Sequence, residues 1–75
     1  MNIQEEITAF CRNIQRIRKK YYLSEKSMAM LMGICEEDLL EIESGSLPDS
    51  VTVETLFRLH KVFALPVDAF FTEAP

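Results

Sequence analysis

The chain has 75 residues, 48% of them hydrophobic, with a formal net charge of −4 and two cysteines. That length gives one domain, residues 1–75, with a modest core and no room for a second. Cys11 and Cys35 are too few for a disulfide framework and lack partners at metal-ligand spacing, and the longest apolar run, Met28 to Cys35, is far short of the roughly 18 residues that span a bilayer.

No basic-then-apolar leader opens the sequence, because Glu5 and Glu6 come at once, so the expectation is a soluble, cytoplasmic protein with reduced thiols. Ile3, Ile7, Phe10, Ile14, Ile17 and Tyr21 recur at steps of four and three, which predicts an amphipathic helix about six turns long. Ser24 is the expected N-cap of a short second helix with Met28, Leu31 and Met32 inward, ended by Gly33. A third helix is expected from about Cys35, a poor cap, to about Glu43, with Leu39 and Ile42 inward and Gly45 terminating it. Thr52 is the expected cap of a fourth, in which Val53, Leu56, Phe57, Leu59, Val62 and Phe63 share helical spacing. Pro66 suits the first position of a last short helix carrying Val67, Phe70 and Phe71. No stretch reads as a strand, so the predicted class is all-α, five helices around one core.

Charge is distributed unevenly along this frame. Arg12, Arg16, Arg18, Lys19, Lys20 and Lys26 face only Glu25 within their own stretch, whereas Glu36, Glu37, Asp38, Glu41 and Glu43 have no basic residue among them. A partner for either stretch must match its sign.

The second and third helices, joined tightly at Gly33, have the sequence form of a helix-turn-helix over about residues 24–45. Ala29 supplies a small residue at the crossing, Gly33 the turn, and Met28, Met32, Ile34, Leu39 and Ile42 the apolar lock. With IQRIRKK, LSEKSMAMLMGI, LLEIESG, VETLFRL and LPVDAFF in this order, residues 10–71 resemble the Cro and phage-repressor type helix-turn-helix domains, also called the xenobiotic-response-element family. The resemblance implies a five-helix, lambda-repressor-like bundle that binds operator DNA as a homodimer and regulates transcription. It puts Glu36, Glu37 and Glu41 at positions that usually reach base edges, and Ser24, Glu25 and Ser46 at positions that usually touch phosphates. It also implies a partly buried ion pair between Arg18 and Glu43.

This chain departs from the family pattern where DNA contact is concerned. Glu25 stands in place of the typical Gln, acids replace the polar or basic residues of the third helix, Ser46 stands where a base is common, and Tyr22 replaces the usual Gly after the first helix. Three or four carboxylates within about 8 Å of phosphates would each cost on the order of 1 kcal/mol, against a specific-binding advantage of about 4 to 10 kcal/mol. Two features can offset this: a carboxylate can accept from the cytosine amino group, and Lys19, Lys20 and Lys26 can hold the backbone beside the N-terminus of the second helix.

Leu40 must lie outward if Leu39 lies inward, which leaves it ringed by Glu36, Glu37 and Glu41 and suggests a protein contact as the competing use of the same face. Glu37 and Glu41 stand one turn apart, but one helix face offers too few oxygens for magnesium or calcium, and a solvated charged face is the plainer reading. His60 and Cys35 lack the neighbours of a nucleophilic site, so no enzyme activity and no cofactor are expected. Phe70, Phe71, Ala74 and Pro75 form an apolar C-terminus, with Phe70 and Phe71 the expected dimer contact, in competition with the N-terminal Ile3 and Ile7.

Overall fold

The computed structural model describes residues 2–72. They form four α-helices, α1 (Ile3–Lys20), α2 (Glu25–Met32), α3 (Glu36–Glu43) and α4 (Val53–Phe63), then a C-terminal 3-10 helix (Val67–Phe71), with no strand among the described residues. The molecule is therefore all-α. α1 packs on α3 and on the 3-10 helix, while α2 packs on α3 and α4.

The core draws on every element, with Phe10 and Ile14 from α1, Met28 and Met32 from α2, Leu39 and Ile42 from α3, Leu59 from α4 and Phe70 from the 3-10 helix all fully buried. α1 is a five-turn helix, since its 18 residues wind at 3.6 per turn. Asn2 caps it by accepting from the Gln4 amide at 2.9 Å, and its end charges, Glu5 and Glu6 first and Arg18, Lys19 and Lys20 last, oppose the helix dipole. The buried part of its apolar stripe is shorter than the periodicity predicted. Ile3 is 74% exposed and Tyr21 half exposed, because α1 outruns the eight-residue α3 and the five-residue 3-10 helix packed against it.

All four α-helices stop at a residue of positive φ: Tyr22, Gly33, Gly45 and Ala64. The first three share one hydrogen-bond pattern. Leu23 donates to Arg18 and Tyr22 to Lys19; Ile34 donates to Ala29 and Gly33 to Met30; Ser46 donates to Glu41 and Gly45 to Ile42. These are paired bonds of the Schellman type, which satisfy carbonyls that the helix leaves free. Leu23 and Ile34, the residues just past the first two of these turns, then pack against the core.

Gly33 is constrained twice, by its φ of 75° and because an added Cβ would lie 2.9 Å from Arg58 Nε. Gly45, at φ 107°, has nothing near such a carbon. We expect Gly33→Ala to lower unfolding stability by about 1 to 2 kcal/mol from backbone strain, with Arg58, a flexible side chain, swinging aside. A urea midpoint unchanged from wild type would show that the turn tolerates another geometry.

α4 differs from its predicted face. Of the six apolar residues at helical spacing only Leu59 is buried, with Leu56 and Phe63 half-buried, whereas Val53, Phe57 and Val62 are exposed. Thr55 takes an inward place instead; its hydroxyl accepts from the Thr52 amide at 3.1 Å and donates to Ser50 O at 3.3 Å. Six positions cover too wide an arc for one face, and the hydrogen-bonded threonine decides which part of it turns inward.

The C-terminal segment is a 3-10 helix preceded by Pro66, not an α-helix beginning with it. Phe70 is 1% exposed and Phe71 stacks on Phe10 with ring centroids 5.1 Å apart. Phe70 thus belongs to the chain's own core, which corrects its assignment as a dimer contact, whereas Phe71 is half-buried beside it and keeps part of its ring on the surface; Ala74 and Pro75, the rest of the expected apolar C-terminus, lie outside the described residues. Buried Asn13 fixes this segment: its amide donates to the carbonyls of Phe70 and Thr72, each at 2.9 Å, while its Oδ1 accepts from Arg16. Among the described residues no helix is long and apolar enough to cross a membrane.

Candidate nucleic-acid interface

Leu39 and Ile42 seat α3 in the core, and its last residue ties its end to α1. Arg18, near the end of α1, meets Glu43 in a two-point fork, Nε to Oε2 at 2.6 Å and Nη2 to Oε1 at 3.0 Å, and its Nη1 donates to Leu23 O at 3.1 Å. Gln15 adds a bond to Glu43 Oε1 at 3.3 Å. One guanidinium thus joins the end of α1, the lead-in to α2 and the end of α3. The two side chains are only 15% and 8% exposed, so the fork works in a weakly screened setting. The Glu43 hydrogen bond raises the Arg18 pKa above its ordinary value; burial opposes this, and the charges of Glu43 and Glu25 reinforce it.

Glu43 is therefore removed from the acidic run. Glu36, Glu37 and Glu41 are exposed, Asp38 is half-buried, and none of the four has an ion-pair partner among the described residues. Local physics accounts for three of them. Cys35 caps α3 without a side-chain hydrogen bond, so Glu36, Glu37 and Asp38 in the first turn supply negative charge where the free amides point. Glu41 has no such role and stands one turn from Glu37, a like-charge pair. Leu40 is 46% exposed on this same outward side.

At the start of α2, Ser24 Oγ accepts from the Ser27 amide and donates to Ser27 Oγ, each at 3.0 Å. Ser27 adds a member to the site beyond those expected from the sequence, and a serine three residues after a cap serine is the local signal for such a pair. Lys26 is exposed and Glu25 half-buried. Lys19 and Lys20 are exposed on the last turn of α1, which the short Tyr21–Leu23 turn joins to α2, and Lys20 Nζ lies 5.7 Å from the centre of the Tyr21 ring. Ser46 is exposed just past α3, its amide bound to Glu41 O. The predicted phosphate-side residues Lys19, Lys20, Ser24, Glu25 and Lys26 thus lie along the stretch of chain where α1 gives way to α2, and Ser46 stands apart from them, past the end of α3. Glu36, Glu37 and Glu41 share the outer side of α3.

The remaining chemical groups are quiet. Among the described residues no three of His, Cys, Asp and Glu converge as metal ligands. His60 is exposed and donates Nδ1–H to Leu65 O at 2.7 Å. Cys35 is exposed, whereas burial raises the pKa of the Cys11 thiol, which lies 3.8 Å from Ser46 O. Compared with known proteins, the chain matches no family model, no curated protein and no solved structure.

Proposed function

We propose that the protein is a small transcriptional regulator of the Cro and phage-repressor type, a lambda-repressor-like domain whose C-terminal 3-10 helix takes the place of the fifth helix. In this reading it acts without catalysis in a bacterial or phage cytoplasm, as a homodimer, and α3 lies against operator DNA. The observation that carries it is the joint between α2 and α3. Two eight-residue helices meet at a left-handed Gly33, α3 is anchored at its far end by the Arg18–Glu43 fork, and its other side is left to solvent. A rigidly held short helix with a free outer side is what major-groove reading requires.

Removal of Glu43 from the acidic face reduces the electrostatic penalty. The remaining acids at Glu36, Glu37 and Glu41 can accept from cytosine amino groups, while Lys19, Lys20, Lys26 and the amides opening α2 hold phosphates. Three lysine–phosphate contacts per protomer, doubled in the homodimer, correspond to a salt slope of about −5.4, or roughly 1,800-fold weaker binding between 50 and 200 mM salt. The test is a titration of the full chain against random-sequence duplex DNA at those two salt concentrations. Steep weakening supports the reading, and no binding at the lower concentration sinks it.

Half-exposed Leu40 favours a second reading, in which the same side of α3 docks on a basic protein partner. The triple variant Glu36→Gln, Glu37→Gln, Glu41→Gln separates the two. It weakens capture of a basic partner, but strengthens or preserves DNA binding while shifting base preference.

A further inference from the structure

Two large apolar side chains stand out on α4, Val53 at 66% exposure and Phe57 at 56%, one helical turn apart. Exposed His60 continues the same stripe at the next turn. Neither apolar residue contributes to the core, and the stripe is flanked on one side by Glu54 and Lys61, seven residues apart and therefore almost in line along the helix. Glu54 is held only by a 3.4 Å contact to Arg58, with both side chains well exposed, and Lys61 has no ion-pair partner among the described residues.

We infer that this side of α4 is an interface between two copies of the chain, packed antiparallel about a two-fold axis that passes beside Phe57. The pattern of charge selects a second copy over other occupants. When a helix meets its own copy antiparallel, each flank faces the same flank of the partner, so residues 54 and 61 meet crosswise, and here they carry opposite signs. The register that aligns them brings the two Phe57 rings together at the centre, where aromatic burial contributes most. The two-fold axis repeats the Glu54–Lys61 pair, so a single set of residues supplies two cross-interface ion pairs. This inference rests on the homodimer proposed above, to which it gives a contact face, and does not depend on what α3 contacts.

Sedimentation equilibrium of the full chain over a wide concentration range tests it. The wild type is expected at twice the monomer mass, and Phe57→Glu at the monomer mass with an unchanged helical circular-dichroism spectrum. Glu54→Lys or Lys61→Glu alone turns both repeats of the pair from attraction to repulsion and weakens association roughly tenfold. The double reversal, Glu54→Lys with Lys61→Glu, restores it. A wild type that stays monomeric overturns the inference, as does a Phe57→Glu protein that still dimerises or a double reversal no tighter than the singles. All three positions are solvent-exposed, so the charge series reads association even if one variant folds poorly.

Discussion

Glu43→Gln is expected to cost about 3 to 5 kcal/mol of unfolding free energy, because it leaves the Arg18 guanidinium, only 15% exposed, without a countercharge. A domain of this size has about 4 to 11 kcal/mol in total at 0.05 to 0.15 kcal/mol per residue, so the loss takes a large part of it. Arg18→Met should cost a similar amount by stranding Glu43. Replacing both, with Met at 18 and Leu at 43, should recover most of the loss, since an apolar pair avoids the desolvation of two charges. Urea midpoints of the four proteins decide the matter, and single variants within about 1 kcal/mol of wild type would mean that water screens the fork. The pH dependence has a definite sign. A raised arginine pKa gives stability that is complete below the ordinary arginine range and is lost only as pH rises through the folded value, so Arg18 contributes no change across neutral pH. If the doubly apolar protein is stable yet loses its ligand, the fork's contribution lies in aiming α3.

Asn13→Asp is the second large effect. The Asn13 amide has two protons and three carbonyls near it, those of Phe70 and Thr72 at 2.9 Å and that of Ala69 at 3.4 Å. A carboxylate there would point lone pairs at lone pairs in a buried place, at a cost of about 3 kcal/mol. Its effect should ease in acid. A protonated Asp at position 13 regains one donor, so its folded pKa is raised above the unfolded value of about 3.9, and the recovered stability is present below that value and lost as pH rises. The variant should therefore gain stability relative to wild type between pH 7 and pH 4, measured by thermal unfolding at each pH. A constant deficit across that range would show that the side chain has turned out to solvent. Asn13→Ala, which removes the donors without adding charge, should cost less at pH 7 and show no such recovery.

The two anchors differ in how far the sequence announced them. The large apolar residues that face inward in α1, α2 and α3 follow from spacing alone, because Phe10, Ile14, Ile17, Met28, Met32, Leu39 and Ile42 each repeat with their helix. The same holds for the local signals at Ser24 and Gly33, which are read within four residues of themselves. Asn13 carries no such signal, since the carbonyls its amide binds lie 56 to 59 positions away and only the packed structure brings them within reach. Resemblance, not spacing, brings Arg18 together with Glu43, and Gln15, one turn earlier on α1, joins them with no local signal of its own. Tyr22 and Ala64 adopt φ 56° without being glycine, because closing a helix onto its core contacts outweighs a residue's own preference. On α3 the exposure of Glu36, Glu37 and Glu41 follows from the inward places of Leu39 and Ile42. The nearness of Lys19 and Lys20 to the start of α2 depends on how the Tyr21–Leu23 turn bends, and that is a property of three dimensions.

The Asn13–Phe70 bond also sets an order in time. It joins residues 57 positions apart, and Phe70 is synthesised after every other core side chain. At about 5 to 20 residues per second, roughly 3 to 11 seconds separate the making of Asn13 from the making of Phe70. Through that interval the side of α1 bearing Phe10 and Asn13 lacks its lid, and the nascent chain shows apolar surface that the finished protein conceals. Holding factors at the ribosome have those seconds in which to meet it.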